Sequence, residues 1–288
     1  KRVYLRRRVR FGLERIYYGG RDLMSALREL AHRTGFDFES EVEFLNQWAL
    51  LSFPGLPTLS LSAREFDFPL PADDRRMYVG PQVLPDRAEP KDASADLAVC
   101  DRLMRDAERQ DRQLVYCAMG TWRGNHDAEL LRRIASAAAD HPEWVLLISL
   151  GGNLKPAELG ALPRNVHAFK RLSQLRVLKQ ASAVITHGGI ATINECILAG
   201  VPMLIYSNGF LDRNGNAARV AYHGLGLLGD ARRDQPEKIA ADIQRLLDED
   251  DFQRNISAMA TCFRAYDRSG AAVNAIEQRL SIAASSHV

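Results

Sequence analysis

One loop of the 288-residue chain combines residue types that suit the binding of a phosphorylated ligand. Residues 187–195 read His-Gly-Gly-Ile-Ala-Thr-Ile-Asn-Glu and follow a short apolar run at 183–186. Glycines let a backbone approach a bulky anion without a Cβ in the way, and free N–H groups at a helix start favour phosphate. His187 and Thr192 offer donors to phosphate oxygens, whereas the carboxylate of Glu195, about one helical turn further on, suits a pair of sugar hydroxyls. Taken alone, the Gly-Gly pair has a plain alternative, an ordinary tight turn beside a surface histidine.

The segments around this loop predict an α/β fold with a doubly wound parallel sheet. Continuous apolar runs, typical of strands buried on both faces, alternate with stretches that favour helices. We expect strands at 114–119, 144–150, 166–169, 183–186 and 202–206, and helices at 127–139, 174–180, 191–199 and 216–223. Because ligands bind outside the carboxyl ends of such strands, the candidate site lies in the loops after Met119, Leu150, Phe169, Thr186 and Tyr206.

The rest of the chain divides by composition. Residues 82–111 lose the apolar runs and gain prolines and charges, which predicts an interdomain linker with a helix at about 95–110. Other expected elements are a helix at 21–34, strands at 48–53, 58–61 and 77–80, and helices at 236–248, 251–265 and 270–282. The chain starts with Lys1 rather than Met, and residues 3–5 already read as structured, so we expect a further N-terminal segment.

Composition argues against several classes of protein. The formal net charge is only +2, which lacks the basic excess typical of nucleic-acid binding, and the basic residues within 1–10 are expected to be solvated. No apolar run is long enough to span a bilayer, and no secretory signal is evident. The cysteines, Cys100, Cys117, Cys196 and Cys262, are scattered, which predicts neither a zinc site nor disulfides. We expect a cytoplasmic protein without a transmembrane segment.

Several motifs resemble, in the same order, those of family 1 (UDP-glycosyltransferase) enzymes of the GT-B fold. Residues 182–226 read SAVITHGGIATINECILAGVPMLIYSNGFLDRNGNAARVAYHGLG and are similar to the nucleotide-sugar signature of this family. Three shorter stretches resemble further motifs of the family: MYVGP at 77–81, YCAMGT at 116–121 and LPRNV at 162–166.

This resemblance implies a domain organisation. The Rossmann-like, nucleotide-sugar-binding C-terminal domain would be complete at 112–269, after the linker at 82–111. Residues 1–81 would be the last part of the acceptor-side N-terminal domain, which is therefore partial. The segment 270–288 would form a helix that crosses back to the N-terminal domain.

The resemblance also assigns roles along the donor substrate. The diphosphate would be held by Gly120, Thr121, His187, Gly188, Gly189 and Thr192. The nucleoside would contact Arg171, Gln174 and Glu195, with Glu195 on the ribose hydroxyls, and Asp212 would contact the donor sugar. Arg171 stands where plant members have a Trp under the uracil, and a guanidinium can also stack on a base.

Two positions depart from the family pattern. Ser173 replaces the proline of a Pro-Gln pair, and Arg213 follows Asp212 where the family commonly has Gln. An arginine beside the donor sugar would favour a negatively charged or unusual sugar. Exposure of its side chain to solvent and an ion pair with Asp212 are equal alternatives, so Arg213 is a candidate site residue whose role stays open.

The implied function is inverting transfer of a sugar from a nucleotide-diphosphate sugar to a hydroxyl of a small, hydrophobic acceptor. UDP is favoured over TDP because Glu195 suits a ribose diol. The family's base is a His near the start of the N-terminal domain, and no residue here matches its context, so no catalytic residue is assigned. Neither a metal nor another cofactor is expected, nor is nucleic acid. Two alternatives stay open: a nucleotide-sugar 2-epimerase of GT-B architecture, and a non-catalytic glycosyltransferase-like auxiliary protein.

Overall fold

A computed structural model describes residues 23–35, 57–71, 75–84, 87, 94–120, 127–152, 154–208 and 212–285. The strand expected at 48–53, the basic residues within 1–10 and the candidate site residue Thr121 lie outside these ranges. The chain forms two compact units. The first comprises Lys1–Thr58 with Asp73–Met77, and the second comprises Leu59–Ala72 with Tyr78–Val288.

A six-stranded parallel sheet organises the second unit. Its strands stand in the order β5-β4-β3-β6-β7-β8. Their bounds are β3 Gln113–Ala118, β4 Trp144–Ser149, β5 Val166–Phe169, β6 Ala183–Thr186, β7 Met203–Ile205 and β8 Gly226–Leu228. Two earlier strands, β1 Thr58–Ser60 and β2 Arg76–Tyr78, pair in a separate two-stranded sheet. The predicted α/β fold with a parallel sheet is therefore confirmed, with β8 as a strand that the sequence pattern did not predict.

Helices cover both faces of the large sheet. In chain order they are α1 Leu23–Thr34, α2 Ser94–Arg109, α3 Asp127–Ala137, α4 Gln174–Leu178, α5 Ile190–Ala199, α6 Arg213–Tyr222, α7 Pro236–Asp248, α8 Asp250–Ser269 and α9 Ala271–Ser285. Buried side chains of α2, α5, α6 and α8 belong to one apolar cluster, and those of α3 and α7 to another. Short 3-10 turns occur at Arg64–Phe66 and Pro156–Leu159.

The central strand β3 is apolar from Leu114 to Ala118 because both of its faces are buried. Leu114, Tyr116 and Ala118 join the first cluster, and Val115 and Cys117 join the second. Successive side chains of a strand point to opposite faces, so a strand covered on both sides needs apolar residues at every position. All five residues are buried, which agrees with that requirement.

The strand order places a topological switch point between β3 and β6. The chain runs from β3 outward through β4 to β5, and then returns to β6 on the other side of β3. Ala118 and Thr186 are register partners at the carboxyl ends of these two strands. The loops that follow therefore leave the sheet side by side, at the place where doubly wound folds bind ligands.

Part of the predicted linker over 82–111 packs in the core of the second unit. Within α2, the side chains of Cys100, Met104 and Ala107 are buried in the apolar cluster that also contains β3. Residues 59–71 belong to the same unit, where Asp67 forms an ion pair with Arg219 of α6. The domain boundaries inferred from the family resemblance stay a prediction.

Candidate functional site

The imidazole of His187 lies between two glycines at the carboxyl edge of the sheet. A Cβ added at Gly120, which follows β3, would lie 2.7 Å from Cε1 of His187. A Cβ added at Gly189 would lie 2.7 Å from Nε2 of the same ring. Real Cβ atoms do not approach other heavy atoms this closely, so any side chain at either position would displace the imidazole. The two glycines thus define the space in which the ring sits.

The position of His187 follows from the register of the sheet. Thr186 ends β6 opposite Ala118 of β3, so His187 emerges beside the turn that contains Gly120. Helix α5 then starts at Ile190, with Gly189 as its N-cap residue. The free N–H groups of the first turn and the helix dipole favour an anion at this end of the helix.

His187 is neutral at pH 7 in this environment. Burial, and after it the nearby positive charge of Arg213, lower its pKa from 6.5 to about 4, although a hydrogen bond with the backbone of Ala118 and the charge of Asp212 oppose the shift. A neutral imidazole has one N–H donor and one acceptor nitrogen, so His187 can donate a single hydrogen bond to an anion.

Asn216 ties the glycine loop to the start of α6. Its buried Nδ2 donates to the carbonyl oxygen of Gly188 at 3.2 Å and to Oδ2 of Asp212 at 2.8 Å. Gly188 has φ +84°, a conformation that side-chain-bearing residues rarely adopt, and an added Cβ would lie 3.0 Å from Cγ2 of Ile205. The asparagine therefore holds both the glycine loop and the carboxylate of Asp212 in place.

Arg213 is buried rather than turned to solvent. Its relative exposure is 8%, and Nη1 donates to Oδ1 of Asn208 at 3.0 Å. The alternative of a solvated arginine is therefore wrong. The side chain brings a positive charge close enough to His187 to affect its pKa, whereas Asp212, at the N-cap position of α6, is exposed.

A second polar group surrounds the carboxylate of Glu195. Gln174, the first residue of α4, donates from Nε2 to Oε2 of Glu195 at 2.5 Å and to Oγ1 of Thr192 at 3.3 Å. Arg87 donates from Nη1 to Oε1 at 2.6 Å and from Nη2 to Oε2 at 3.4 Å. The side chain of Glu195 is 4% exposed and that of Arg87 is 46% exposed. The carboxylate is thus a buried acceptor reached by three donors.

Arg171 lies on the other side of the switch point, after β5. An added Cβ at Gly152, which has φ +86°, would lie 2.8 Å from Nε of Arg171. The guanidinium thus lies against the Gly152 backbone in the loop after β4. Arg171 follows the carboxyl end of β5, and its role at the base of a nucleotide stays a prediction.

Ten of the eleven candidate site residues lie within the described part of the chain, and they follow the carboxyl ends of four strands. Direct contacts join His187 with Gly120 and Gly189, and Gln174 with Thr192 and Glu195. Their roles toward a ligand stay predictions.

Two further residues of this cluster, Arg87 and Asn216, were not predicted from the sequence. Asn216 could have been found, because Asn216-Ala217 is the Asn-Ala element of the family signature. Arg87 had no such signal, since it lies in the predicted linker and meets Glu195 across 108 positions of sequence.

Two further observations concern ligand classes. Among the residues that the structure describes, no group of three or more His, Cys, Asp or Glu side chains is arranged to hold a metal ion. The expectation that no metal is needed stays a prediction. Within the same ranges, no helix is both long and apolar enough to cross a bilayer.

Comparison with known proteins shows which proteins this chain resembles. Residues 135–267 match the family described as erythromycin biosynthesis protein CIII-like, C-terminal domain. Zeaxanthin glucosyltransferase of Pantoea ananas is 29% identical over 170 residues, which is 58% of this chain and 38% of that protein. Oleandomycin glycosyltransferase of Streptomyces antibioticus is 34% identical over 114 residues, 40% of this chain and 25% of that protein.

Solved structures agree with these sequence matches. The structure of CalG4, the calicheamicin glycosyltransferase, has a TM-score of 0.65 and 25% identity, and the match covers 94% of this chain and 66% of that one. In sequence and in fold, this chain is similar to family 1 glycosyltransferases of the GT-B fold, as the motifs of its sequence implied. It spans well under half the length of the two curated relatives above.

Proposed function

We propose that this chain binds a nucleotide-diphosphate sugar, as the donor half of a glycosyltransferase that acts on small-molecule natural products. The observation that carries the proposal is the placement of His187 between Gly120 and Gly189 at the switch point of the sheet, directly before the start of α5. The relatives are named as glycosyltransferases, two of them for zeaxanthin and oleandomycin, which supports a small-molecule acceptor and gives no support to an epimerase.

The diphosphate fits the glycine loop on chemical grounds. Neutral His187 donates one hydrogen bond, and the first N–H groups of α5 donate others without any change of charge on the protein. When the sugar is transferred, negative charge builds up on the departing diphosphate. Donors already aimed at that charge lower the barrier, because they need no reorganisation during the reaction.

The nucleoside fits the polar group around Glu195. A carboxylate accepts hydrogen bonds from a pair of vicinal hydroxyls, and this one lies one helical turn beyond Thr192, where repulsion of the diphosphate is weaker. This supports UDP rather than TDP, because only the ribonucleotide offers both the 2′- and the 3′-hydroxyl. Arg171 is proposed under the base, and Asp212, held by Asn216, against the donor sugar.

The reaction we propose is inverting. The acceptor hydroxyl attacks the anomeric carbon, loses its proton to a general base, and the nucleotide diphosphate leaves from the opposite face of the sugar. No residue of this chain is assigned as that base.

Calorimetric titration of the 288-residue chain with UDP and TDP tests the donor site. Loss of a hydrogen bond to a charged group costs about 1.5–3 kcal/mol, so His187→Ala should weaken UDP binding roughly tenfold to a hundredfold. Glu195→Ala should weaken UDP more than TDP. His32→Ala and Glu249→Ala, both on exposed positions outside the site, serve as matched controls. Undiminished affinity in both site variants would show that the nucleotide binds elsewhere.

A donor screen by thermal shift complements this test. UDP-glucose, UDP-glucuronate, UDP-N-acetylglucosamine and TDP-glucose are compared at equal concentration, because a ligand that binds the folded state more tightly raises the melting temperature further. Incubation of the chain with the best donor should leave the sugar nucleotide unchanged, whereas an epimerised sugar nucleotide would contradict the proposal and favour the epimerase.

A further inference from the structure

The carboxylate of Glu195 has little hydrogen-bonding capacity left. It accepts two bonds from Arg87 and one from Gln174. An ionised carboxylate offers about four acceptor positions in all. A ribose that donates from both its 2′- and its 3′-hydroxyl needs two positions, so at least one protein donor has to leave. A 2′-deoxyribose needs only one position and can be accepted with all three donors in place.

Of the two donor side chains, Arg87 is the one that yields. Gln174 is partly buried, makes the shortest bond to the carboxylate at 2.5 Å, and is also linked to Thr192 of the same helix α5. Arg87 is 46% exposed, and its second bond, Nη2 to Oε2, is long at 3.4 Å. Water can replace the carboxylate as a partner of the half-exposed guanidinium more readily than as a partner of the partly buried amide.

We propose that Arg87 is a specificity-determining residue of the donor site, which competes with the ribose hydroxyls for the carboxylate of Glu195. Because Arg87 occupies both carboxylate oxygens, it lowers the affinity for a ribonucleotide and leaves the affinity for a 2′-deoxyribonucleotide unchanged. The inference rests on the proposed donor function. It concerns only the balance between the two kinds of sugar, which Glu195 alone would tilt further toward ribose.

Comparison of UDP with 2′-deoxy-UDP isolates this balance. The two ligands share base and diphosphate, so any change in the general electrostatic attraction of the site affects both equally and cancels in the ratio of their dissociation constants. Calorimetric titrations of the full chain are made with the wild type, Arg87→Ala, Arg87→Lys and a control. Arg245→Ala is the matched control, because Arg245 pairs with Glu249 at 2.7 and 3.3 Å and is 51% exposed, but lies in α7.

The expected result is a change in selectivity. Breaking a half-exposed ion pair is worth roughly a factor of 1.5 to 5 in an equilibrium constant. Arg87→Ala should therefore shift the ratio toward UDP by about threefold, Arg87→Lys by less, and Arg245→Ala not at all. A side chain that serves only the stability of the fold would not change the ratio.

Two results would overturn the inference, and they are distinguishable. If wild type binds UDP and Arg87→Ala leaves the ratio unchanged or shifts it toward the deoxynucleotide, then Arg87 does not compete with the 2′-hydroxyl, and the donor site itself stands. If neither wild type nor Arg87→Ala binds UDP or its deoxy form, then the proposed donor function fails and the inference fails with it.

Discussion

Adding one methyl group at Gly189 should damage the site mainly through its contact with His187. Gly189 has φ −69° and ψ 135°, a region open to every residue, so alanine brings no backbone strain. Its Cβ would nevertheless lie 2.7 Å from Nε2 and 3.3 Å from Cε1 of the imidazole. The ring cannot simply move aside, because Gly120 approaches it from another direction at a comparable distance. Gly189→Ala is thus a test of how tightly the ring is held.

The magnitude has two parts. Extra methyl groups in a well-packed site cost about 1–3 kcal/mol through forced shifts of neighbours. Alanine is also a poorer N-cap residue than glycine, which costs roughly 0.5–1 kcal/mol at the start of α5. Removal of the ring by His187→Ala should abolish the first part and leave the second. The coupling between the two substitutions is therefore expected to be about 1–3 kcal/mol, a shift of about 2–12 °C in melting temperature.

A double-mutant cycle measures this coupling. Urea unfolding of the wild type, both single variants and the double variant gives four free energies of unfolding. These values can be compared when the slope of free energy against urea concentration is the same for all four proteins. The His187→Ala variant should tolerate Gly189→Ala better than the wild type does. Additivity of the two single effects within about 0.5 kcal/mol would refute the reasoning, because it would mean that the ring is not confined by Gly189.

Two further predictions concern the same loop. Because burial and Arg213 hold the pKa of folded His187 near 4, below its ordinary 6.5, the unfolded chain binds more protons between these values. The stabilisation by neutral His187 is complete above about pH 6.5 and is lost as the pH falls toward 4. The loss between pH 7 and pH 4.5 should amount to roughly 2 kcal/mol in wild type and be absent from His187→Ala, as measured by urea unfolding of both proteins at the two pH values. Asn216→Ala should lower the free energy of unfolding by about 1–3 kcal/mol, because it leaves the carbonyl of Gly188 and the carboxylate of Asp212 without their donor. A wild-type midpoint in that variant would contradict the role of Asn216 as the tie between loop and helix.

The central part of the fold could be predicted because its strands leave no choice of residue type. Strands β3, β4 and β6 are apolar at nearly every position and buried on both faces, so their existence and parallel direction follow from composition. Strand β8 was missed because it has three residues, begins at a glycine and is partly exposed at the sheet edge. A segment of that length shows no periodicity, and it becomes a strand only because β7 offers it hydrogen-bonding partners.

The site could be predicted only where it is continuous in sequence or carried by the family resemblance. His187, Thr192 and Glu195 lie within one loop and helix, and their spacing alone suggests a phosphate beside a hydroxyl-binding carboxylate. Gly120 became a candidate through the resemblance, and the pairing of β3 with β6 explains its contact with His187. The partner of Glu195 from the predicted linker could not be inferred, because Arg87 stands among other charged residues and its local sequence carries no signal that it turns inward.

The charges of this loop region are arranged so that an anion meets little opposition. Both carboxylates near the glycine loop are already engaged within the protein, that of Glu195 by Gln174 and Arg87, and that of Asp212 by Asn216. Burial, together with the positive charge of Arg213, keeps the pKa of His187 low and its imidazole neutral, so that no second cation stands beside Arg213. A diphosphate in the proposed position would be held by hydrogen bonds and a helix dipole rather than by a strong ion pair with the histidine. Such a site stabilises the developing charge of the leaving group and still releases the nucleotide diphosphate after transfer, which a glycosyltransferase must do in every cycle.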